Sequence, residues 1–336
     1  MDFSIRENVA LAPYTIYKIG GQAKYFVETK NTDELIEAVR FSGGNDIPFF
    51  ILGAGSNVLI SDKGFDGLVI RMVSGGLRVD GERVIVDGGV MMARAVLESA
   101  KAGLTGLEWG IGIPGTIGGS VRGNAGCFGG ETGDFIESVR VLQILNSKFE
   151  IRNKFQIPNS KFQTKELKNP QCKFTYRDSV FKKHPEWVII SATLKLKKGD
   201  SKEIQEKIKN ITLERSTKQD IGTKSCGCIF KNVPWSRKDI DKKKILARFP
   251  GMPSSGTVAG IPVSYLIGEA GLKGRRVGHV LVSPKHANYF VNEGGATAEE
   301  VIMLIGIAKD AVRRKFGILL EEEIQYVGFL KKVFHN

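Results

Sequence analysis

The sequence predicts an α+β protein of two or three domains, and three observations carry that prediction. Runs alternating with a period near two stand beside helical runs, without the regular strand–helix–strand rhythm of a doubly wound sheet. The chain has 336 residues, which at roughly 100–200 residues per domain leaves room for more than one core. Its 40 glycines gather in clusters instead of repeating with a period. They therefore mark loops where backbone comes close to something, and collagen-like or low-complexity readings fail.

The elements follow in order. Lys24–Glu28 reads as a short strand and Asp33–Ser42 as a helix, with Leu35, Ala38 and Val39 at helical spacing behind Asn31 and Thr32, either of which can cap it. Pro48–Leu52 is an apolar run that ends in Gly53-Ala54-Gly55, and Val58–Ile60 and Leu68–Met72 are further strands. Arg83–Asp87 alternates as a strand, and Met91–Ala102 is helical up to Gly103. After a glycine-dense stretch from Gly103 to Gly133, Ser138–Leu145 and Trp187–Lys197 alternate like half-buried antiparallel strands. Ser201–Arg215 is an amphipathic helix approaching a domain boundary. Thr223–Asn232 is a short strand and turn, Val233–Thr257 a surface loop rich in Pro, Lys and Ser, and Pro262–Ala270 a helix. Thr297 and Glu300 form a capping box for a long helix whose stripe is Val301, Leu304, Ile305, Ala308 and Val312. Gly317 stops it, and Ile318–Val327 is a final strand.

The formal charge is +13, with Lys and Arg spread along the whole length. The densest run, Arg237 to Lys244, is interrupted by Asp239 and Asp241 and reads as solvated surface, so no nucleic-acid partner is expected. A general positive field suits small polyanions such as nucleotide diphosphates. Cys127, Cys172, Cys226 and Cys228 are too few and too scattered for a disulfide framework. The Cys-x-Cys at 226–228 has no further ligand at a usable spacing, so no metal is expected. MDFSIRENVALAP lacks the apolar stretch of a signal peptide, and no run of about 20 apolar residues occurs. A cytoplasmic protein without a membrane partner is expected.

Gly110-Ile111-Gly112-Ile113-Pro114-Gly115 matches GxGxxG literally. That fingerprint needs a strand before it and a helix after it. Pro114 falls inside, and Gly118, Gly119 and Gly123 follow too densely for a helix. Backbone nests that hold phosphate fit better. Two such segments occur, Gly53-Ala54-Gly55-Ser56-Asn57 and Ile113-Pro114-Gly115-Thr116-Ile117-Gly118-Gly119-Ser120. Each alone is a tight turn. Together with Gly20-Gly21 and Arg122-Gly123-Asn124-Ala125-Gly126 they suit a dinucleotide such as FAD.

An ordered set of segments carries a resemblance. It comprises Thr15-Ile16-Tyr17-Lys18-Ile19-Gly20-Gly21-Gln22-Ala23, Gly53-Ala54-Gly55-Ser56-Asn57-Val58-Leu59, Gly112 to Ser120 and Asn124-Ala125-Gly126. Tyr176-Arg177-Asp178-Ser179, Gly227-Cys228-Ile229-Phe230-Lys231-Asn232, Ala270-Gly271-Leu272-Lys273-Gly274, His286-Ala287-Asn288 and Leu320-Glu321-Glu322-Glu323-Ile324 complete it. The set closely resembles the UDP-N-acetylenolpyruvoylglucosamine reductase family, also called UDP-N-acetylmuramate dehydrogenase, and its shorter branch without the tyrosine-bearing loop.

The resemblance implies an FAD-binding fold of the vanillyl-alcohol-oxidase type in two lobes, over residues 1–72 and 73–217. A C-terminal α+β substrate-binding domain would span 218–322, with the strand and tail 323–336 returning towards the FAD lobes. It implies non-covalent FAD, NADPH as co-substrate, UDP-N-acetylglucosamine enolpyruvate as substrate, UDP-N-acetylmuramate as product in peptidoglycan precursor synthesis, and a monomeric chain. FAD would be held by Gly53, Ala54, Gly55, Ser56, Asn57, Gly112, Ile113, Pro114, Gly115, Thr116, Gly118, Gly119, Asn124, Ala125 and Gly126.

Arg177 matches the family's catalytic arginine, whose fork holds a carboxylate and the enolate that develops beside it. Cys228 stands where the family has serine as proton donor, and a thiol is the stronger acid. The family pattern assigns the catalytic carboxylate to Glu323, whereas the residues alone leave Glu321, Glu322 and Glu323 open, alternation putting Glu321 and Glu323 on one face and Glu322 on the other with Leu320 and Ile324. Tyr176, Lys231 and Asn232 match substrate-site positions. His286 and Asn288 match a segment of the substrate lobe, with a structural role as the alternative. A flavin-dependent oxidase of the same fold superfamily and a colourless nucleotide or RNA binder are the competing readings.

Overall fold

The computed structural model describes residues 4–145, 161–251 and 260–329. The described chain gathers into two compact units. One is built from Met1–Ala10, Gln22–Ala54 and Phe65–Glu214, the other from Leu11–Gly21, Gly55–Gly64 and Arg215–Asn336. The chain thus enters the second unit twice near its start, through Leu11–Gly21 and Gly55–Gly64, before committing to it after Glu214.

The first unit contains two sheets. The smaller has the order Arg6–Ala10, Gln22–Thr29, Phe65–Met72, Phe49–Leu52, with only the first pair antiparallel. The helix Thr32–Gly44 crosses between Gln22–Thr29 and Phe49–Leu52. Asn31 is its cap, its side-chain oxygen accepting from the Glu34 N–H at 2.9 Å, while the Glu34 carboxylate accepts from the Lys30 N–H. Leu35, Ala38 and Val39 face the sheet as their spacing requires.

The larger sheet is antiparallel, in the order Lys161–Lys168, Ile136–Leu145, Trp187–Lys195, Arg83–Asp87, Leu77–Asp80. The two alternating runs do pair antiparallel, and both faces are covered. Val139 and Val141 pack with Ile117 and Val121, whereas Leu142 and Ile144 pack with Val27 and Leu35.

A seven-residue helix, Ile117–Gly123, forms inside the glycine-dense segment, contrary to the expectation that glycine density would prevent it. Propensity loses here to capping and burial. Thr116 accepts from the Gly119 N–H at 3.3 Å, Ile117, Ser120 and Val121 are buried, and Asn124 closes the helix in left-handed backbone at φ 43. The fingerprint geometry remains absent, because a 3-10 turn, Glu108–Gly110, leads into the segment where a strand would be needed.

The second unit is organised by the helix Ala298–Phe316. Thr297 and Glu300 form the capping box, Gly317 at φ 72 ends the helix, and the predicted stripe is at most 3% exposed. Each such aliphatic side chain contributes about 1.5–3 kcal/mol on burial. Against it lie the helix Val263–Glu269 and the sheet Arg276–Val277, Val280–Val282, Phe290–Asn292. Gln325–Val327 pairs in parallel with Val58–Ile60, leaving the rest of the expected final strand irregular.

The expected loop from Val233 holds a two-residue strand, Val233–Pro234, and a helix, Lys242–Arg248, capped by Asp241. Its stretch 252–257 lies outside the described residues. Ile245 and Leu246 pack on the core, so the lysine-rich sequence hides a short amphipathic turn. No helix among the described residues is long and apolar enough to cross a membrane.

Candidate active site

In the first unit, Gly53 meets the second glycine segment. A Cβ on Gly53 would lie 2.6 Å from the Thr116 hydroxyl, so a side chain there would push the loops apart. The buried side of the Ile117–Gly123 helix carries its side chains. Its other side is bare, because a Cβ on Gly119 would meet only Thr116 Oγ1, at 3.6 Å, and one on Gly123 would meet nothing within 4 Å. Such a face admits a flat or anionic group into contact with backbone. The N–H groups of Ile117 and Gly118 are spent on the carbonyls of Val90 and Gly88, both at 2.8 Å. Contact with a dinucleotide therefore falls to the bare face and the preceding loop. By this test the residues present fit an FAD molecule.

Arg177 sits in a two-residue turn, where Thr175 and Asp178 exchange N–H···O bonds of 3.1 and 3.0 Å. Its φ is 55, a left-handed value normally taken by glycine at this corner of a turn. For a non-glycine residue such backbone costs of order 1–3 kcal/mol and persists only where its surroundings hold it. Those surroundings are the segment after the bare helix. Asn124 donates to Thr175 O at 3.0 Å, Arg177 Nη2 donates to Gly126 O at 2.8 Å, and the Ser179 hydroxyl donates to Arg122 O at 2.6 Å. The Arg122 guanidinium donates to Phe181 O. Burial lowers the Arg122 pKa from its ordinary value, opposed by nearby Asp178. Tyr176 lies 5.2 Å from the Arg177 guanidinium as a cation–π partner. Phe128, at φ 49, lies in left-handed backbone at the turn of the hairpin of Gly126–Cys127 and Gly130–Glu131.

In the second unit, residues 228–231 are held between two neighbours by isolated bridges. Cys228 bridges Tyr289, and Phe230 bridges Glu322. The Ile229 N–H donates to Asn288 O at 2.9 Å, the Glu323 N–H to Ile229 O at 2.7 Å, and the Lys231 N–H to Glu321 O at 2.9 Å. Cys228 and Glu323 therefore lie on neighbouring segments joined by backbone hydrogen bonds. The three acids, indistinguishable in sequence, separate here. Glu321 lies 3.8 Å from Lys231 Nζ, and Glu322 pairs with Lys309. The Glu323 carbonyl accepts from the Asn57 amide at 3.3 Å, and Gln325 N–H donates to Asn57 O at 3.0 Å, so part of the first glycine loop is sewn to this segment.

Asn232 accepts from the Val263 N–H at 3.1 Å. Asn288, 1% exposed, accepts from Phe230 N–H and donates to Phe230 O, behaving as a piece of neighbouring strand. His286 has its Nδ1 buried without a hydrogen-bond partner among the described residues. Burial lowers its pKa, opposed by Asp220. Burial, then proximity to Cys228 and Glu323, pushes the Cys226 thiol far up and leaves it inert. All four cysteines are free thiols, and no group of three or more His, Cys, Asp or Glu suited to a metal occurs among the described residues.

Arg177 belongs to the first unit, and Cys228 and Glu323 to the second. Sequence reasoning named Arg122 only as part of a glycine-rich segment, left a structural role open for Asn288 and passed over Phe128. The only signal for Arg122 was a long cation inside a glycine-dense segment.

Comparison with known proteins adds the following. Residues 23–146 match the model of an FAD binding domain, and residues 218–327 match that of the UDP-N-acetylenolpyruvoylglucosamine reductase C-terminal domain. The UDP-N-acetylenolpyruvoylglucosamine reductase of Caldicellulosiruptor bescii is 35% identical over 321 residues, covering 95% of this chain and 89% of that protein. The one from Rubrobacter xylanophilus is 34% identical over 323 residues, covering 95% and 93%. The crystal structure of UDP-N-acetylenolpyruvylglucosamine reductase from Thermus caldophilus superposes with a TM-score of 0.70 at 30% identity, covering 97% of this chain and 99% of the other.

Proposed function

The chain belongs to the UDP-N-acetylenolpyruvoylglucosamine reductase family, and from that premise we propose how its own residues divide the reaction. The protein is an FAD-dependent oxidoreductase, a UDP-N-acetylmuramate dehydrogenase of peptidoglycan precursor synthesis. Its fold is an FAD-binding domain of the vanillyl-alcohol-oxidase type joined to an α+β C-terminal domain. We take NADPH as the reductant, UDP-N-acetylglucosamine enolpyruvate as the substrate, the cytoplasm as the location, a monomer as the working form and the shorter branch of the family as its place.

FAD, when bound, supplies the hydride chemistry between NADPH and the vinyl carbon of the enolpyruvyl group. The protein supplies position and charge. Gly53, Ala54, Gly55, Ser56 and Asn57, with the loop Gly112–Thr116 and the bare face at Gly119, hold the dinucleotide, and Gly118, packed on Gly88, sets that face in place. Asn124, Ala125 and Gly126 continue that cradle. Tyr176, Lys231 and Asn232 hold the substrate. The Arg177 fork binds the substrate carboxylate and stabilises the enolate as charge develops. Cys228 delivers a proton to the neighbouring carbon, leaving a thiolate. Glu323, on the segment bonded to that of Cys228, is the carboxyl that restores the thiol proton.

The observation that supports this reading best is the left-handed Arg177, whose guanidinium is tied to the glycine-rich segment at Gly126. The test is to mix the FAD-loaded protein with NADPH and the enolpyruvyl sugar nucleotide and follow the nicotinamide absorbance. Absorbance should fall only when both are present, with UDP-N-acetylmuramate accumulating. A flavin that acid fails to release and NADPH fails to bleach would return the case to the oxidase reading.

A further inference from the structure

The turn that carries Arg177 is gripped at alternate residues by alternate residues. Arg122, Asn124 and Gly126 hold Thr175, Arg177, Ser179 and Phe181 through four hydrogen bonds. Arg122 alone contributes twice, accepting the Ser179 hydroxyl on its carbonyl and donating from its guanidinium to Phe181 O. Phe181 lies in a four-residue helix, Val180–Lys183, too short to supply its own carbonyls with donors. Arg122 supplies one from outside.

From this geometry we propose that Arg122 is a positioning residue for Arg177. Arg122 holds the turn in the left-handed conformation that aims the guanidinium and couples that aim to the bare glycine helix on which Arg122 itself lies. The inference rests on Arg177 being the catalytic arginine. Backbone at φ 55 relaxes to ordinary values unless several contacts over-determine it. Lys182 adds one more, donating from Nζ to Arg177 O at 2.5 Å. Arg122 differs from Lys182 in reaching from the glycine-rich segment itself, so a shift of either element is felt by the other. Removal of its fork leaves the Arg177 side chain in place chemically but lets its carrier move, and displacement of a reacting group by about 1 Å lowers rates on the order of 100-fold.

The test is a double-mutant cycle on the FAD-loaded, full-length protein, with Arg122→Met, Arg122→Lys and Arg177→Ala. Arg122→Met should lower kcat about 10- to 100-fold, leave KM for the enolpyruvyl substrate within a factor of a few and retain FAD, with a lower thermal midpoint because buried Phe181 O loses its donor. Arg122→Lys, which keeps a donor of the right charge, should recover part of the rate. In the Arg177→Ala background the Arg122→Met effect should vanish, because nothing remains to be aimed. Equal effects of Arg122→Met in both backgrounds would overturn the inference, as would normal kcat in Arg122→Met beside a slow Arg177→Ala. If Arg122→Met does not fold, Arg122→Lys carries the same cycle. FAD loss from Arg122→Lys would show that Arg122 serves the helix and not the turn, and would overturn the proposal. Normal turnover by Arg177→Ala would instead remove the reading of Arg177 itself.

Discussion

The turn that carries Arg177 lies in left-handed backbone and is gripped from residues 122, 124 and 126, whereas Cys228 lies in a segment held by isolated bridges, its own to Tyr289 and that of Phe230 to Glu322. A guanidinium that must meet a carboxylate at a set angle needs its Cα placed where ordinary turns do not put it, so surrounding contacts hold the strain. A thiol that must deliver one proton needs only to sit on the correct side of its segment, which isolated bridges to neighbouring chain provide without left-handed backbone at Cys228. Damage to the first region should therefore appear in the rate, and damage to the scaffold of the second in stability.

The largest expected effect lies at the second region's reactive atom. Cys228→Ala should slow reoxidation of the reduced enzyme by enolpyruvyl substrate about 10²- to 10⁴-fold, leaving NADPH-driven reduction intact in stopped-flow. Cys228→Ser should keep much of the activity. Normal turnover by Cys228→Ala would place the proton donor elsewhere and dissolve the contrast. Arg177→Lys comes next, with kcat lower by a factor of order 100 and flavin content unchanged, because an ammonium cannot hold a carboxylate with two parallel bonds. A colourless Arg177→Lys protein would mark the turn as scaffold.

Asn288→Ala sharpens the comparison from the stability side. It strands both the N–H and the C=O of buried Phe230 and should cost about 1–3 kcal/mol in a urea titration. An unchanged midpoint would show that the segment stands without it. The smallest effect concerns pH. Burial depresses the His286 pKa in the folded protein, so the unfolded chain binds the extra proton. The stability His286 contributes is fully present above its ordinary pKa of about 6.5 and is lost as pH falls below that value towards the folded one. Urea midpoints from pH 7.5 to 5 should fall less steeply in His286→Gln than in the parent, and parallel slopes would exclude the buried imidazole as the cause.

Much of the scaffold was legible because its signals are local. The Asn31 cap, the Thr297–Glu300 box, the five-residue stripe and the Gly317 stop each depend on residues within a few turns of one another. The strand Lys161–Lys168 was missed because it is a sheet edge with most side chains exposed, so its lysines and polar residues mask the alternation. The helix Ile117–Gly123 was missed because its stability comes from a cap and a buried face that outweigh poor propensity. The site residues named from the family pattern could be listed from sequence, but their local setting could not. Glu321 and Glu322 are told apart by the lysine each meets, and Lys231 and Lys309 are brought there by distant parts of the chain.

By itself, the sequence determined the α+β class, the main helices, the glycine loops and an ordered set of motifs, since these depend on periodicity, capping and neighbours along the chain. Only the tertiary structure decided that the early chain serves both units, that Arg177 is held in left-handed backbone, and that Arg122 and Asn124 hold it there. Those contacts join residues some fifty positions apart, and no local pattern encodes a hydrogen bond whose partner is supplied by the fold.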